Sequence, residues 1–102
     1  MKQLEEFDAC AKQLKALAEP TRLRLMQSLF SGPCSVSTLS ELTGLELVTV
    51  SHHLGILRNA GLVNVQRDGQ DGRFIIYSLA SEIKTAKPGR IDLGCCRFDL
   101  RP

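Results

Sequence analysis

Three features of the sequence predict a mostly helical α+β fold for this 102-residue chain. Apolar residues recur at helical spacing in four successive segments up to Gly61. The third and fourth of these segments are separated by little more than Gly44, too short a link for anything but a tight turn. After Gly61 the pattern changes from helical to extended, in two β-rich runs around a Gly- and Asp-rich turn.

The first helix is expected over residues 2–17, "KQLEEFDACAKQLKAL", where Leu4, Phe7, Cys10 or Ala11, Leu14 and Leu17 share one stripe and Lys and Glu fill the rest. A second begins behind Glu19 with Pro20 in its first turn, carries Leu23, Leu25, Met26, Leu29 and Phe30, and stops at Gly32-Pro33. Ser35 is placed to cap a short third helix, "VSTLSELTG", with Leu39 and Leu42 facing inward and Gly44 ending it. The fourth, "ELVTVSHHLGILRNAG", buries Val50, Leu54 and Leu57 and stops at Gly61. The runs "LVNVQR" and "RFIIYSL" then flank Asp68-Gly69-Gln70-Asp71-Gly72 as a β-hairpin. About four helices, two of them a helix-turn-helix pair, followed by a two-stranded wing, form the outline of a winged helix-turn-helix.

Composition limits what else the chain can be. At 43% hydrophobic and 24% charged it suits one compact domain, with residues 1–79 as the winged unit and 80–102 as a tail of the same domain. No stretch approaches the roughly 18 apolar residues of a membrane span, and "MKQLEEFDAC" is an acidic amphipathic start rather than a leader, so a cytoplasmic location without a membrane partner is expected. In that compartment four cysteines point to metal, redox or core use, and disulfide staples are not expected. The net charge of +2 traces to the tail, with its Lys84, Lys87, Arg90, Arg97 and Arg101, and argues only weakly for a polyanion partner. A nucleic-acid reading has to rest on pattern.

In a helix-turn-helix the second helix of the pair enters the major groove and its early exposed residues meet base edges. Here those residues are Leu47, Val48, Thr49, Ser51 and His52. Thr49, Ser51 and His52 offer hydrogen bonds, and Leu47 and Val48 suit thymine methyl groups; no Arg or Lys serves this face. Arg67 and Arg73 flank the wing turn, where they suit phosphates or a narrow minor groove. The same residues also fit an ordinary solvated helix and a hairpin face, and some winged helices bind proteins. Neighbouring His52 and His53 point to different sides of a helix and do not make a metal pair.

"LAEPTRLRLMQSL" followed by "SVSTLSELTGLELVTVSHHLGILRNAGLVNVQRDGQDGRFIIYSL" resembles the ArsR/SmtB family of metal- and metalloid-responsive repressors, across residues 14–79. The most specific stretch is Ser51-x-His53-Leu54-x-x-Leu57-x-x-Ala60-Gly61-Leu62-Val63. The resemblance implies a homodimer, not an enzyme, that sits on double-stranded operator DNA near its own promoter and lets go when an inducer binds. It also implies that Ser51 and His53 contact DNA, with Arg67 and Arg73 in the wing. The family's sensor sites vary. A Cys-x-Cys pair at the start of the third helix would need thiols where this chain has Ser35 and Ser37, and a C-terminal zinc site would need His beyond position 53, where there is none. Cys34, just before the third helix, reads as a small packing residue.

The tail departs from the long final helix usual in the family. "SLASEIKTAKPG" predicts a short helical turn ended by Pro88-Gly89, and "RIDLGCCRFDLRP" alternates like a strand. Its apolar phase slips between Ile91 and Leu93 on one side and Phe98 and Leu100 on the other. A regular strand would send Cys95 and Cys96 to opposite faces. Gly94 and the phase slip instead predict a bulge or turn that brings both sulfurs to one side. Soft thiolates without imidazole or carboxylate favour soft centres, and trivalent arsenic takes three sulfurs. Cys95 and Cys96 supply two. Cys10 is the candidate third, because in the family the N-terminal helix meets the C-terminal segment at the dimer interface; core packing is the alternative for it.

The sequence therefore predicts no required cofactor and, as inducer, As(III) or a related thiophilic metal or metalloid bound by Cys95, Cys96 and Cys10. A repressor of the same fold sensing oxidants or sulfur species, with Cys10 or Cys34 bridging to the tail, is the alternative. A thiol carrier or reductase built on Cys95-Cys96 lacks both the Cys-x-x-Cys spacing and an acid–base partner.

Overall fold

A computed structural model describes residues 2–68 and 74–101. Four helices, α1 (Lys2–Leu17), α2 (Pro20–Leu29), α3 (Val36–Thr43) and α4 (Leu47–Asn59), precede the wing strands β2 (Val63–Asp68) and β3 (Phe74–Leu79). A two-residue strand β1 (Cys34–Ser35) lies between α2 and α3, and the tail forms β4 (Arg90–Asp92) and β5 (Arg97–Asp99). The architecture is that of a winged helix-turn-helix, as the sequence predicts.

Helix boundaries follow local chemistry. The Glu19 carboxylate accepts the Arg22 backbone N–H at 3.0 Å and so caps α2, whose first residue is Pro20. Ser35 caps α3 by accepting from the Thr38 N–H at 3.1 Å. Gly44 ends α3 with φ 74°, a left-handed conformation that costs glycine nothing, and lets α4 start at Leu47.

One cluster of buried side chains joins every layer: Leu17 from α1, Leu25, Met26 and Leu29 from α2, Leu39 from α3, Val50, Leu54 and Leu57 from α4, and Leu62, Val63 and Leu79 around the wing. Two expectations fail here. Leu42, expected to face inward, is 52% exposed, because an eight-residue helix against α2 and α4 buries only Leu39. Along α1, Leu4, Phe7 and Leu14 are also exposed; of the stripe Cys10 and Leu17 are buried, with Ala16 beside them.

The wing is an antiparallel pair in which Val65 faces Tyr77, and β1 adds a third strand by pairing Cys34 with Tyr77 and Ser35 with Ile76. Two residues carry no periodic signal, so the sequence does not announce β1.

The tail forms its own antiparallel hairpin, with Arg90 opposite Asp99, Ile91 opposite Phe98 and Asp92 opposite Arg97. The helical turn expected in "SLASEIKTAKPG" is a set of turns, with Lys84 bridging Ile91. Ile83 and Ile91 enter the main core, and Asp92 N–H donates to Ile83 C=O at 3.0 Å. The phase slip resolves as a chain reversal over residues 93–96: Leu93 N–H donates to Cys96 C=O at 2.9 Å, Gly94 takes φ 87°, and the Gly94 N–H is held by Asp92 Oδ1 at 2.8 Å.

Candidate functional site: a thiol cluster and a recognition helix

The reversal at Gly94 sets Cys95 and Cys96 at the tip of the tail hairpin, and the packing of Ile91 into the core brings that tip against α1. There it meets Cys10, which is buried on the inner side of that helix. Cys10 and Cys95 form a disulfide, with Cα atoms 6.3 Å apart across a sequence separation of 85. Cys96 keeps a free thiol, its sulfur 3.7 Å from that of Cys95. All three sulfurs lie within 4.8 Å of one another. No other group of three His, Cys, Asp or Glu side chains gathers its ligand atoms this closely among the described residues.

The default of no disulfide staple does not hold for this pair, which is the bridge from Cys10 to the tail that the redox alternative names. The returning tail creates it. An open cavity of about 370 Å³ lies beside Cys10 and Cys95, walled by Phe7, Gln13 and Leu93 among others, so small reagents can approach these two sulfurs. Cys34 stands apart: its thiol donates to the Gly32 carbonyl at 3.5 Å and its side chain packs against the core.

A centre that bonds sulfur at about 2.3 Å, the length of a zinc–thiolate bond, spaces its sulfur ligands by at most ~4.6 Å. The trio, once reduced, is within reach of one such centre, after the Cys10 and Cys95 sulfurs separate from bonding distance to that span. Three thiolates with no imidazole or carboxylate among them make a soft donor set.

The second surface is the start of α4. Leu47, Val48, Ser51 and His52 are exposed, Val48 at 78%, while Thr49 is half-buried. Val50, Leu54 and Leu57 anchor the opposite side of the helix in the core, which leaves the first face open to a partner. His53 behaves differently. Its Nδ1 lies 3.1 Å from Arg22 Nη1 and 3.6 Å from Glu19 Oε2, so the ring is turned toward α2. The His52 and His53 rings meet edge to face with centroids 5.4 Å apart. Arg67 is exposed on β2, with Arg58 of α4 beside it around a shallow cavity at the base of the wing. Arg73 lies outside the described residues.

Sequence patterns do not reveal the polar cluster under α4. Arg22 donates through Nε to the Ala16 carbonyl in the last turn of α1 and through Nη1 to His53. Desolvation pushes the Glu19 carboxyl up, but the backbone N–H groups of Arg22 and Thr21, with His53 and the Arg22 guanidinium close by, more than reverse this, leaving it below its ordinary value. The one signal in the sequence is Glu19 ahead of Pro20, the pattern of a capped helix start.

Comparison with known proteins agrees with the winged helix-turn-helix fold. Residues 19–65 match the family described as bacterial regulatory protein, arsR family. The transcriptional regulator NmtR of Mycobacterium tuberculosis is 48% identical over 69 residues, covering 68% of this chain and 55% of NmtR, so the chain spans about half the length of that relative. The transcriptional regulator YgaV of Escherichia coli is 36% identical over 91 residues, covering 84% of this chain and 89% of YgaV. Among solved structures, the homodimeric winged helix-turn-helix DNA-binding domain of Mb0332 from Mycobacterium bovis superposes with a TM-score of 0.72 at 32% identity, covering 79% of this chain and 72% of that one. These relatives are regulators rather than enzymes, and the chain belongs to the arsR family of bacterial regulatory proteins.

Proposed function

We propose that this chain is a cytoplasmic, homodimeric repressor that binds operator DNA through α4 and the wing, and that releases it when a thiophilic inducer, arsenite first among them, is held by Cys10, Cys95 and Cys96. The observation that carries the reading is the convergence of three sulfurs from α1 and the tail within 4.8 Å. Operator contact by Leu47, Val48, Ser51 and His52 is supported by their exposure and by likeness to a DNA-binding domain, and half-buried Thr49 and His53 stand in the same proposal through that likeness alone. Arg67 and Arg73 belong to the same proposal as phosphate contacts at the wing. Dimer formation is supported by the open apolar row Leu4, Phe7 and Leu14 on α1, exposed by 61%, 58% and 43%. Among the described residues no helix is long and apolar enough to cross a membrane.

Two cellular thiols first reduce the Cys10–Cys95 disulfide and leave as a disulfide themselves. Arsenous acid then condenses with the three thiols, forming three As–S bonds and releasing three waters with no change of oxidation state. Joining α1 to the tail then biases the spacing of the two recognition helices, a coupling typically of ~1–3 kcal/mol.

The disulfide supports a second reading, a redox sensor in which Cys10 and Cys95 lose two electrons and two protons to a peroxide or disulfide oxidant. A gel shift on the flanking promoter DNA separates the two. Release of the reduced protein by arsenite, lost in the Cys95→Ser, Cys96→Ser double variant, supports the metalloid reading; release by mild oxidant alone supports the redox reading. Failure of the reduced, inducer-free protein to bind any flanking duplex overturns both.

A further inference from the structure

We propose that Arg22 is the positioning residue through which the thiol cluster acts on the recognition helix; this rests on the operator-binding reading above and names how that site is regulated. Cys10 and Ala16 lie on the same helix, so the Ala16 carbonyl moves with the thiol site. That carbonyl belongs to the last turn of α1, whose C=O groups have no partner within the helix. Arg22 Nε–H supplies one. Nη1 of the same guanidinium lies 3.1 Å from Nδ1 of His53, in the middle of α4.

A guanidinium is planar and rigid, which fixes the angle between these two bonds. It carries donors only, so His53 Nδ1 is the acceptor and the ring proton sits on Nε2. The Glu19 carboxylate completes the cluster, accepting the Arg22 backbone N–H at 3.0 Å and lying 3.6 Å from His53 Nδ1. A displacement of α1, as the Cys10 sulfur passes from its bond with Cys95 to a centre shared with Cys95 and Cys96, has two outlets. It breaks the Ala16 bond, or it turns the guanidinium and shifts His53. Ser51 and His52, the exposed neighbours of His53 on α4, shift with it.

The route contrasts with the core side chains around it. Val50, Leu54 and Leu57 pack without directional bonds and accommodate small sliding, whereas the Arg22 fork has one geometry that satisfies α1 and α4 together.

The experiment compares wild type, Arg22→Lys and Arg22→Gln as full chains, by fluorescence anisotropy on flanking promoter DNA with and without sodium arsenite. Sulfur–arsenic absorbance reports arsenite binding separately. Wild-type release is expected in the ~5–150-fold range typical of allosteric coupling. Arg22→Gln is expected to lose most of that release while keeping arsenite affinity and inducer-free DNA affinity within about threefold. Arg22→Lys, which reaches one partner but lacks the fork, falls between. Wild-type release retained in Arg22→Gln overturns the proposal.

If arsenite does not release the wild type, the metalloid reading fails, and the relay is then decided by imidazole nitrogen NMR. Nδ1 of His53 is expected to read as an unprotonated acceptor, and its resonance to move when Cys10–Cys95 is reduced. A resonance unmoved by reduction, or a protonated Nδ1, overturns the relay even if Arg22→Gln fails to fold.

Discussion

Leu100 and Gly89 close the tail on itself: the Leu100 backbone N–H donates to the Gly89 carbonyl at 2.8 Å, while the Leu100 carbonyl lies so near that a Cβ on Gly89 would sit 2.9 Å from it. Gly89 also has φ 84°, in the left-handed region. Backbone meets backbone here, so no side-chain rotation relieves the clash. Gly89→Ala is therefore expected to destabilise the fold by about 1–3 kcal/mol, read by chemical denaturation, and to loosen the tail first in hydrogen exchange. Unchanged stability and protection would show that the closure of the tail contributes nothing.

Ile91 is a tail residue with no solvent exposure, packed among the same side chains as Leu54 and Leu57. Its truncation tests whether residues 80–102 share a domain with the winged unit. Ile91→Ala is expected to cost about 2–5 kcal/mol and to leave one cooperative transition. Separate melting of the tail, with the winged unit unaffected, would contradict that division of the chain.

Acid should destabilise the fold through two carboxylates. Glu19 is held low by the backbone N–H groups and charges around it, and Asp99 is held low chiefly by its hydrogen bond from Arg90, whose Nε lies 2.9 Å from Oδ1, against a smaller upward push from desolvation. A carboxyl with a lowered native value contributes stability that is complete above its unfolded value, near 4, and disappears as pH falls through the native one. Stability should thus hold from neutral pH down to the ordinary carboxylate range and decline below it. Denaturation series on Glu19→Gln and Asp99→Asn are expected to show a shallower decline; an unaltered acid slope would mean that neither group contributes to acid sensitivity.

Val48 stands clear of the core at the start of α4, so a charge there disturbs recognition without unfolding the helix. Val48→Glu is expected to weaken promoter binding at least tenfold, because the new carboxylate cannot pack against a thymine methyl group and is repelled by phosphates, with thermal stability nearly unchanged. His52→Ala is expected to reduce affinity by the ~1–3 kcal/mol of a base contact. Equal binding by both variants would move the DNA surface away from α4.

Local chemistry made the winged unit legible. Pro20 behind Glu19, Ser35 before α3, Gly44 in the left-handed region and the Val50, Leu54, Leu57 spacing each act within a few residues, so helix starts, stops and buried faces could be read in order. Gly94 worked in the same way, predicting that Cys95 and Cys96 lie beside a break in a strand. Cys10 entered the thiol set through family resemblance and the apolar stripe of α1, with core packing as the alternative.

Other features needed the folded chain, because they depend on how segments far apart in sequence pack together. The disulfide from Cys10 to Cys95 exists because Ile83 and Ile91 find room in the core and carry the hairpin tip back to α1. Leu42 ended outside because the neighbours of a short helix, rather than its own periodicity, decide which apolar residue is covered. Arg22 and His53 meet for the same reason: each side chain is ordinary in its own helix, and only the crossing of α2 and α4 sets a donor against an acceptor. The sequence by itself determined the helices, the wing and the vicinal thiols; the tertiary packing decided which distant partners they meet.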